Sequence, residues 1–385
     1  MEKLHFIPFS LPELGNEEVE EVIDTLKSGW ITSGPKVKRF ESDFQDFIGN
    51  SVHTVAVNSA TAGLHLALEA LGVSKGDEVI VPSLTFTSTA EVARYLGADV
   101  KLVDVNPITL NIDIKAIRNA ITPKTKVIMP VHYAGLSCDM DEIFEIAKEF
   151  GLKVVEDAAH ALPTTYKSNM VGSLNSDITV FSFYANKTMT TGEGGMVVTR
   201  HLDLANRMKI MRLHGIDRDA FDRFQSKKPA WYYEVIAPGF KYNMTDIAAA
   251  MGIHQLKKLP KFSDRRNYLA QRYLEALIDL PLILPAGDTD NGSHSWHLFV
   301  IRLENNIRIS RDDLIKFLSH KGIGTSVHYV PLHRQPYWRD LYGLTNDLFP
   351  EADKAYVSMV SIPLYTAMSD EQQDRVIEAL HEALA

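Results

Sequence analysis

The sequence predicts an α/β protein built on a mostly parallel, helix-covered sheet, with a smaller domain at its C-terminal end. Three observations carry that prediction. Strand-like apolar runs at residues 78–81, 100–105, 126–131, 153–156 and 178–183 alternate with helical stretches such as 140–150. This is the pattern of parallel strands joined by crossover helices. The chain has 385 residues, 45% of them apolar and 23% charged, which is enough for one large or two medium domains around a sizeable core. Polar features also fall where the runs end, at Pro82-Ser-Leu-Thr-Phe86, His132-Tyr133-Ala-Gly135 and Asp157-Ala-Ala-His160. Ligands of open α/β sheets gather at those carboxyl ends.

Bulk properties narrow the function. A formal net charge of −9 gives no broad field for nucleic acid or an anionic membrane, so an anionic ligand must be held by local groups. Cys138 is the only cysteine, which excludes an intrachain disulfide and disfavours a cysteine zinc site. Residues 1–10 carry Lys3, His5 and Pro8 and lead into no apolar core of the length a secretion signal needs, and no apolar run approaches a membrane span. The expected location is the cytoplasm.

Taken in order, Asn16 reads as an N-cap followed by Glu17 and Glu18, and Val19, Val22, Ile23 and Leu26 keep helical spacing up to Gly29. Gly29-Trp-Ile-Thr-Ser-Gly-Pro35 reads either as a loop over substrate or as a plain connection between helices. Residues 52–57 then lead into Asn58-Ser-Ala-Thr61-Ala-Gly, and Leu64, Ala67, Leu68 and Leu71 mark a helix closed by Gly72. Ser59, Ala60 and Thr61 thus lie at a helix N-terminus. Free N–H groups and the helix dipole suit that place to a phosphate, although Ser and Thr cap ordinary helices too. No Gly-x-Gly-x-x-Gly or Walker pattern follows an early strand, which disfavours dinucleotide and P-loop readings.

Lys187 lies between the strand-like run 178–183 and another at 195–199, with Gly192, Gly194 and Gly195 close behind. A desolvated lysine has a lowered pKa and a nucleophilic amine, as Schiff-base chemistry requires. The glycines let the backbone turn tightly beside a ligand. Further on, residues 204–213 read as helix, 220–231 as polar and irregular, and Lys241-Tyr-Asn243-Met-Thr-Asp246 as the approach to an Ala-rich helix. Helical segments around 257–277 and the loops at 281–292 mark the crossing into the second domain, dividing 1–255 from 256–385. His294-Ser-Trp-His297 has a metal-like spacing but no third ligand, which favours packing or hydrogen bonding. Residues 311–320 are helical, and Ser369 with Gln372 forms a capping box for the last helix.

Together these parts suit one cofactor. A planar phosphorylated ring with an aldehyde would use Ala60, Thr61 and Ser182 for the phosphate, Phe86 for stacking and Asp157 for its ring nitrogen. His160 would bond its hydroxyl, and Lys187 would condense with the aldehyde. That cofactor is pyridoxal 5′-phosphate. Read alone, Asp157 could as well be a turn-capping residue and Lys187 a solvated charge.

The same residues resemble the DegT/DnrJ/EryC1/StrS family of sugar aminotransferases. The matching pieces are Gly29–Pro35, Asn58–Gly63, Pro82–Phe86, Pro130-Val-His-Tyr-Ala-Gly135, Glu156–His160, Phe181–Lys187, Gly192-Glu-Gly-Gly195 and Tyr242–Asp246, covering nearly the whole chain. The resemblance implies the large-and-small-domain aminotransferase fold (aspartate aminotransferase-like, fold type I) and pyridoxal phosphate as cofactor. It also implies a homodimer with shared active sites, in which Asn243, with Lys241 beside it, reaches the neighbour's phosphate. Thr32, Tyr133, His328 and Tyr329 are the expected substrate contacts. The implied reaction transfers an amino group from L-glutamate to a nucleotide-linked keto sugar. His160 is shared with arabinose-type members where many others carry Gln, whereas Tyr329-Val-Pro-Leu-His333-Arg-Gln-Pro-Tyr337 is more like members acting on 4-keto-6-deoxyhexoses. A 4-amino product is therefore expected. The alternatives are a C3 keto-sugar or cyclitol aminotransferase, or a non-catalytic binding protein on the same fold.

Overall fold

Twelve strands organise the described part of the chain. In order they are β1 (His53–Val57), β2 (Glu78–Pro82), β3 (Asp99–Val103), β4 (Thr125–Ile128), β5 (Lys153–Asp157), β6 (Thr165–Tyr166), β7 (Asn169–Met170), β8 (Ile178–Ser182), β9 (Gly195–Thr199), β10 (Leu282–Ile283), β11 (Phe299–Leu303) and β12 (Met359–Ile362). The computed structural model describes residues 6–49, 51–218, 229, 231–288, 292–305 and 307–384. Residues 1–5, most of the polar stretch 220–231 and positions 289–291 of the loop 281–292 lie outside them.

The central sheet runs β1-β9-β8-β5-β4-β2-β3, and the pairings from β3 through β2, β4 and β5 to β8 are parallel. Strands β2, β8 and β9 are buried along nearly their whole length because helices cover both faces, leaving no solvent side to favour alternation. β9 breaks the parallel order, pairing antiparallel with β8 and with β1. Ser182 faces Gly195 in that pairing, so the segment carrying Lys187 bridges a hairpin at the carboxyl end of β8.

One helix joins the two cores. Asp246–Ala276 is 31 residues long and absorbs Pro260. Its first half buries Ala249, Ile253, Leu256 and Leu259 with Phe40, Phe44 and Phe183 beside the large sheet. Its last turns place Leu269, Ala270 and Tyr273 against β11 and β12. The expected division between residues 255 and 256 falls inside this helix. The small sheet runs β10-β11-β12, all antiparallel. No helix among the described residues is long and apolar enough to cross a membrane.

The helix termini correct one expectation and meet another. Asn16 is the first residue of its helix, not the cap: Gly15 takes that place and donates its N–H to Glu18 at 2.8 Å. Glu18 turns inward because Gln255 and Lys258 both bond its carboxylate, and that partnership lies far outside any local pattern. At the last helix, Ser369 and Gln372 exchange both capping-box bonds, at 3.0 and 3.2 Å. His294 is held by local packing, its Nδ1 accepting from the Trp296 N–H at 2.8 Å with the two rings stacked.

Candidate active site

A cavity of about 430 Å³ opens where β5 and β8 end and the helix Ala60–Ala70 begins. Ser59 caps that helix by accepting the Ala62 N–H at 3.1 Å. The N–H groups of Ala60 and Thr61 have no intrahelical acceptor, as in any first turn, and both residues line the cavity. Ser182, at the end of β8, lines it as well. Gly195 makes this corner possible: a Cβ there would sit 2.9 Å from Ala60 N and 2.8 Å from the Phe181 carbonyl. β9 can press against the helix start only without a side chain.

Asp157 closes the inner wall and is 5% exposed. Its Oδ2 accepts from Thr89 at 2.8 Å and its Oδ1 from the Ala159 N–H at 3.1 Å. Burial pushes this carboxyl up, against those two bonds and the attraction of Lys187. Lys187 is pushed down to about 8 by burial, with Asp157 pulling the other way. Among the described residues nothing hydrogen-bonds or ion-pairs with its Nζ. The site thus holds a carboxylate in need of a cation, an amine with nucleophilic character and a helix terminus suited to an anion. Pyridoxal 5′-phosphate brings a basic ring nitrogen, an aldehyde and a phosphate, so the residues present fit it.

The opposite wall is aromatic. His160 Nε2 and the Tyr329 hydroxyl lie 2.9 Å apart, leaving the buried Nδ1 of His160 without a partner. The Phe86 ring lies 5.8 Å from that of Tyr329 and is 55% exposed, so one of its faces is open. His328 lines the cavity while its Nδ1 is bonded to Ser361 Oγ at 2.8 Å; burial and then Lys187 lower its pKa to about 4, which keeps it neutral.

Four of the expected residues lie outside this cavity wall. Tyr133 is buried behind it, its hydroxyl donating to the His328 carbonyl. It supports a lining residue without lining the cavity itself. Thr32, Lys241 and Asn243 belong to an outer edge. Asn243 donates to Ser33 Oγ at 2.8 Å, and the Thr32 carbonyl accepts the Asp246 N–H at 3.1 Å. The following helix is capped by Thr245, not by Asn243. Asp246 in turn accepts from the N–H groups of Gly34, Lys36 and Val37, capping the helix Pro35–Ile48 from outside.

Sequence reasoning passed over Tyr184, Asn186 and Glu193, which also line the cavity. The signal was their position: all three sit in the loop that carries Lys187. The buried Oδ1 of Asn186 has no partner.

A sequence model of the DegT/DnrJ/EryC1/StrS aminotransferase family matches residues 12–381. The chain is 47% identical over 380 residues to the spore coat polysaccharide biosynthesis protein SpsC of Bacillus subtilis, covering 98% of this chain and 97% of SpsC. Among solved structures it resembles Spr1654 of Streptococcus pneumoniae in its PLP form, assigned as a sugar aminotransferase, with a TM-score of 0.90, 35% identity and coverage of 99% and 100%. It also resembles PseC of Helicobacter pylori, an aminotransferase involved in the biosynthesis of pseudoaminic acid, with a TM-score of 0.89, 27% identity and coverage of 99% of each chain.

Proposed function

The chain belongs to the DegT/DnrJ/EryC1/StrS aminotransferase family, and from that premise we propose that it moves the amino group of L-glutamate to C4 of a nucleotide-linked 4-keto sugar. Its cofactor is pyridoxal 5′-phosphate, as in its structural relative. The product would be a 4-amino-4-deoxy sugar nucleotide, of the 4,6-dideoxy type, made in the cytoplasm for surface polysaccharide. The names of SpsC and PseC support a polysaccharide or acidic-sugar destination. The observation that carries the reading is the cavity itself, which brings Lys187, Asp157, Ser182, Phe86 and the start of the helix Ala60–Ala70 to one place.

Bound there, the cofactor supplies an aldehyde for the incoming amine and a protonated ring that draws electrons from the reacting bonds. The chain's own groups do the rest. Ala60 and Thr61 hold the phosphate through main-chain N–H groups, and Ser182 through its hydroxyl. Asp157 keeps a proton on the ring nitrogen, because a buried carboxylate is stabilised by the adjacent cation. Phe86 covers one face, the small Ala158-Ala159 pair leaves room at the other, and His160 serves the ring hydroxyl. Lys187 is the attachment point. Its free Nζ would move the proton at the donor's Cα and, in the second half-reaction, the proton at C4 of the sugar. His328 and Tyr329 face the substrate, with Tyr133 behind them.

The working unit in this reading is a homodimer. The phosphate cradle of one chain contains only neutral donors, and a dianion there is better held with a further cation. Lys241 is exposed beside Asn243 on the outer edge, placed to serve a neighbouring chain. A panel of UDP-, dTDP- and GDP-linked 4-keto sugars with glutamate, read by mass spectrometry and product NMR, tests the reaction. Nitrogen at C4 is the expected result; nitrogen at C3, or turnover of free cyclitols alone, refutes it.

A further inference from the structure

Glu156 precedes Asp157 on β5 and is completely buried. Strand alternation sends their side chains to opposite faces of the sheet. Glu156 Oε1 accepts from the hydroxyls of Ser176 and Thr179, the latter at 2.7 Å, and Oε2 meets His132 Nε2 at 2.8 Å. Its oxygens thus meet three donors, the pattern of a carboxylate. The segment that supplies His132 also grips the backbone of Asp157: Asp157 N donates to the Pro130 carbonyl at 2.9 Å, and His132 N to the Asp157 carbonyl at 3.2 Å.

The charge on His132 decides what this cluster does electrostatically. Burial works against a charged ring, while Cys138 and Glu156 draw its pKa up to about 10. Two bonds argue for a neutral ring nonetheless. Cys138 Sγ donates to the Val131 carbonyl at 3.2 Å, so it is a thiol and offers no negative charge. The Cys138 main-chain N–H donates to His132 Nδ1 at 3.1 Å, and a nitrogen that accepts cannot also carry a proton. The ring's single proton sits on Nε2 and faces Glu156.

We infer that Glu156 is a positioning residue of the site: with His132 it fixes the backbone that presents Asp157, and its charge, matched by no cation among the described residues, deepens the negative potential at the ring nitrogen. This rests on the reading of Asp157 as the partner of that nitrogen. The titratable group bonded to Glu156 is His132, with Cys138 on the far side of that ring and Asp157 next along the strand; those about the cavity are Asp157, Lys187, Glu193, Tyr184, His160, His297, His328 and Tyr329.

The test titrates the absorbance of the cofactor-loaded protein against pH. Glu156→Gln keeps the shape and removes a negative charge, which disfavours every nearby cationic form. The midpoint should fall by on the order of one pH unit, and the dissociation constant for pyridoxal phosphate should rise several-fold. Thr179→Val removes a donor and keeps the charge; it should lower the melting temperature yet leave the midpoint in place. A folded Glu156→Gln protein with the parent's midpoint overturns the inference. Should that variant not fold, His132→Gln decides, since it retains an amide donor to Glu156. An unchanged midpoint supports a neutral His132, whereas a rise of about one unit would mean that a histidine cation had been cancelling Glu156. A parent protein that binds no pyridoxal phosphate would instead refute the reading of the site.

Discussion

The cavity wall and the outer edge of the site handle their polar groups in opposite ways. Along the wall, Lys187 Nζ, the N–H groups of Ala60 and Thr61, Asn186 Oδ1 and His160 Nδ1 have no partner among the described residues. At the edge the accounts are closed from within. Gly34, Lys36 and Val37 donate to Asp246, Asn243 to Ser33, and the Trp30 indole to the Ser33 carbonyl. Buried polar groups are normally satisfied, so a concentration of unsatisfied ones marks where a ligand belongs. The edge satisfies these polar groups internally and leaves Lys241 exposed.

Lys187→Ala should break this contrast most severely. It removes both the attachment point and the proton carrier, and loss of a general base alone costs roughly 10²–10⁴-fold. Steady-state turnover with glutamate should fall below detection while the melting temperature holds; near-parent turnover would move the chemistry to another group. Asp157→Asn comes next. A neutral amide cannot hold the ring nitrogen protonated, so transamination should be nearly abolished in a folded protein. Turnover close to the parent rate would make Asp157 a turn-capping residue bonded to Thr89 and Ala159.

The edge is probed by mixing. Lys187→Ala and the double variant Lys241→Ala, Asn243→Ala are each expected to be inactive. After subunit exchange, half of the dimers in an equal mixture carry one intact site if sites are shared, so roughly a quarter of the parent activity should return. No recovery, with exchange verified by native mass spectrometry, would assign Lys241 and Asn243 to their own chain.

What the sequence made legible, and what it hid, follows the range of the interactions. The parallel strands, the helix start at Ser59–Thr61, the hairpin carrying Lys187 and the Ser369–Gln372 box are written in periodicity and in neighbours a few residues apart. The family resemblance implies Tyr133 as a substrate contact, but its hydroxyl donates to the carbonyl of His328, 195 positions away. Asn243 and Ser33, 210 apart, meet for reasons no local pattern records. Asn16 lost the cap because Gln255 and Lys258 draw Glu18 inward. Tyr184, Asn186 and Glu193 could have been found from their places beside Lys187.

The smallest expected effect concerns that hidden support. Tyr133→Phe removes one bond to the backbone of His328, worth about 1 kcal/mol. It should lower the melting temperature by a few degrees and raise the KM for the sugar a few-fold with little change in kcat. A loss of kcat comparable to that of Asp157→Asn would mean that Tyr133 touches the reacting groups.

The account stands most directly on Lys187. Borohydride reduction of the cofactor-loaded protein, followed by proteolysis and mass spectrometry, should place the cofactor's mass on the peptide containing Lys187. Finding it on a peptide that carries any other lysine would contradict the assignment of this cavity as the active site.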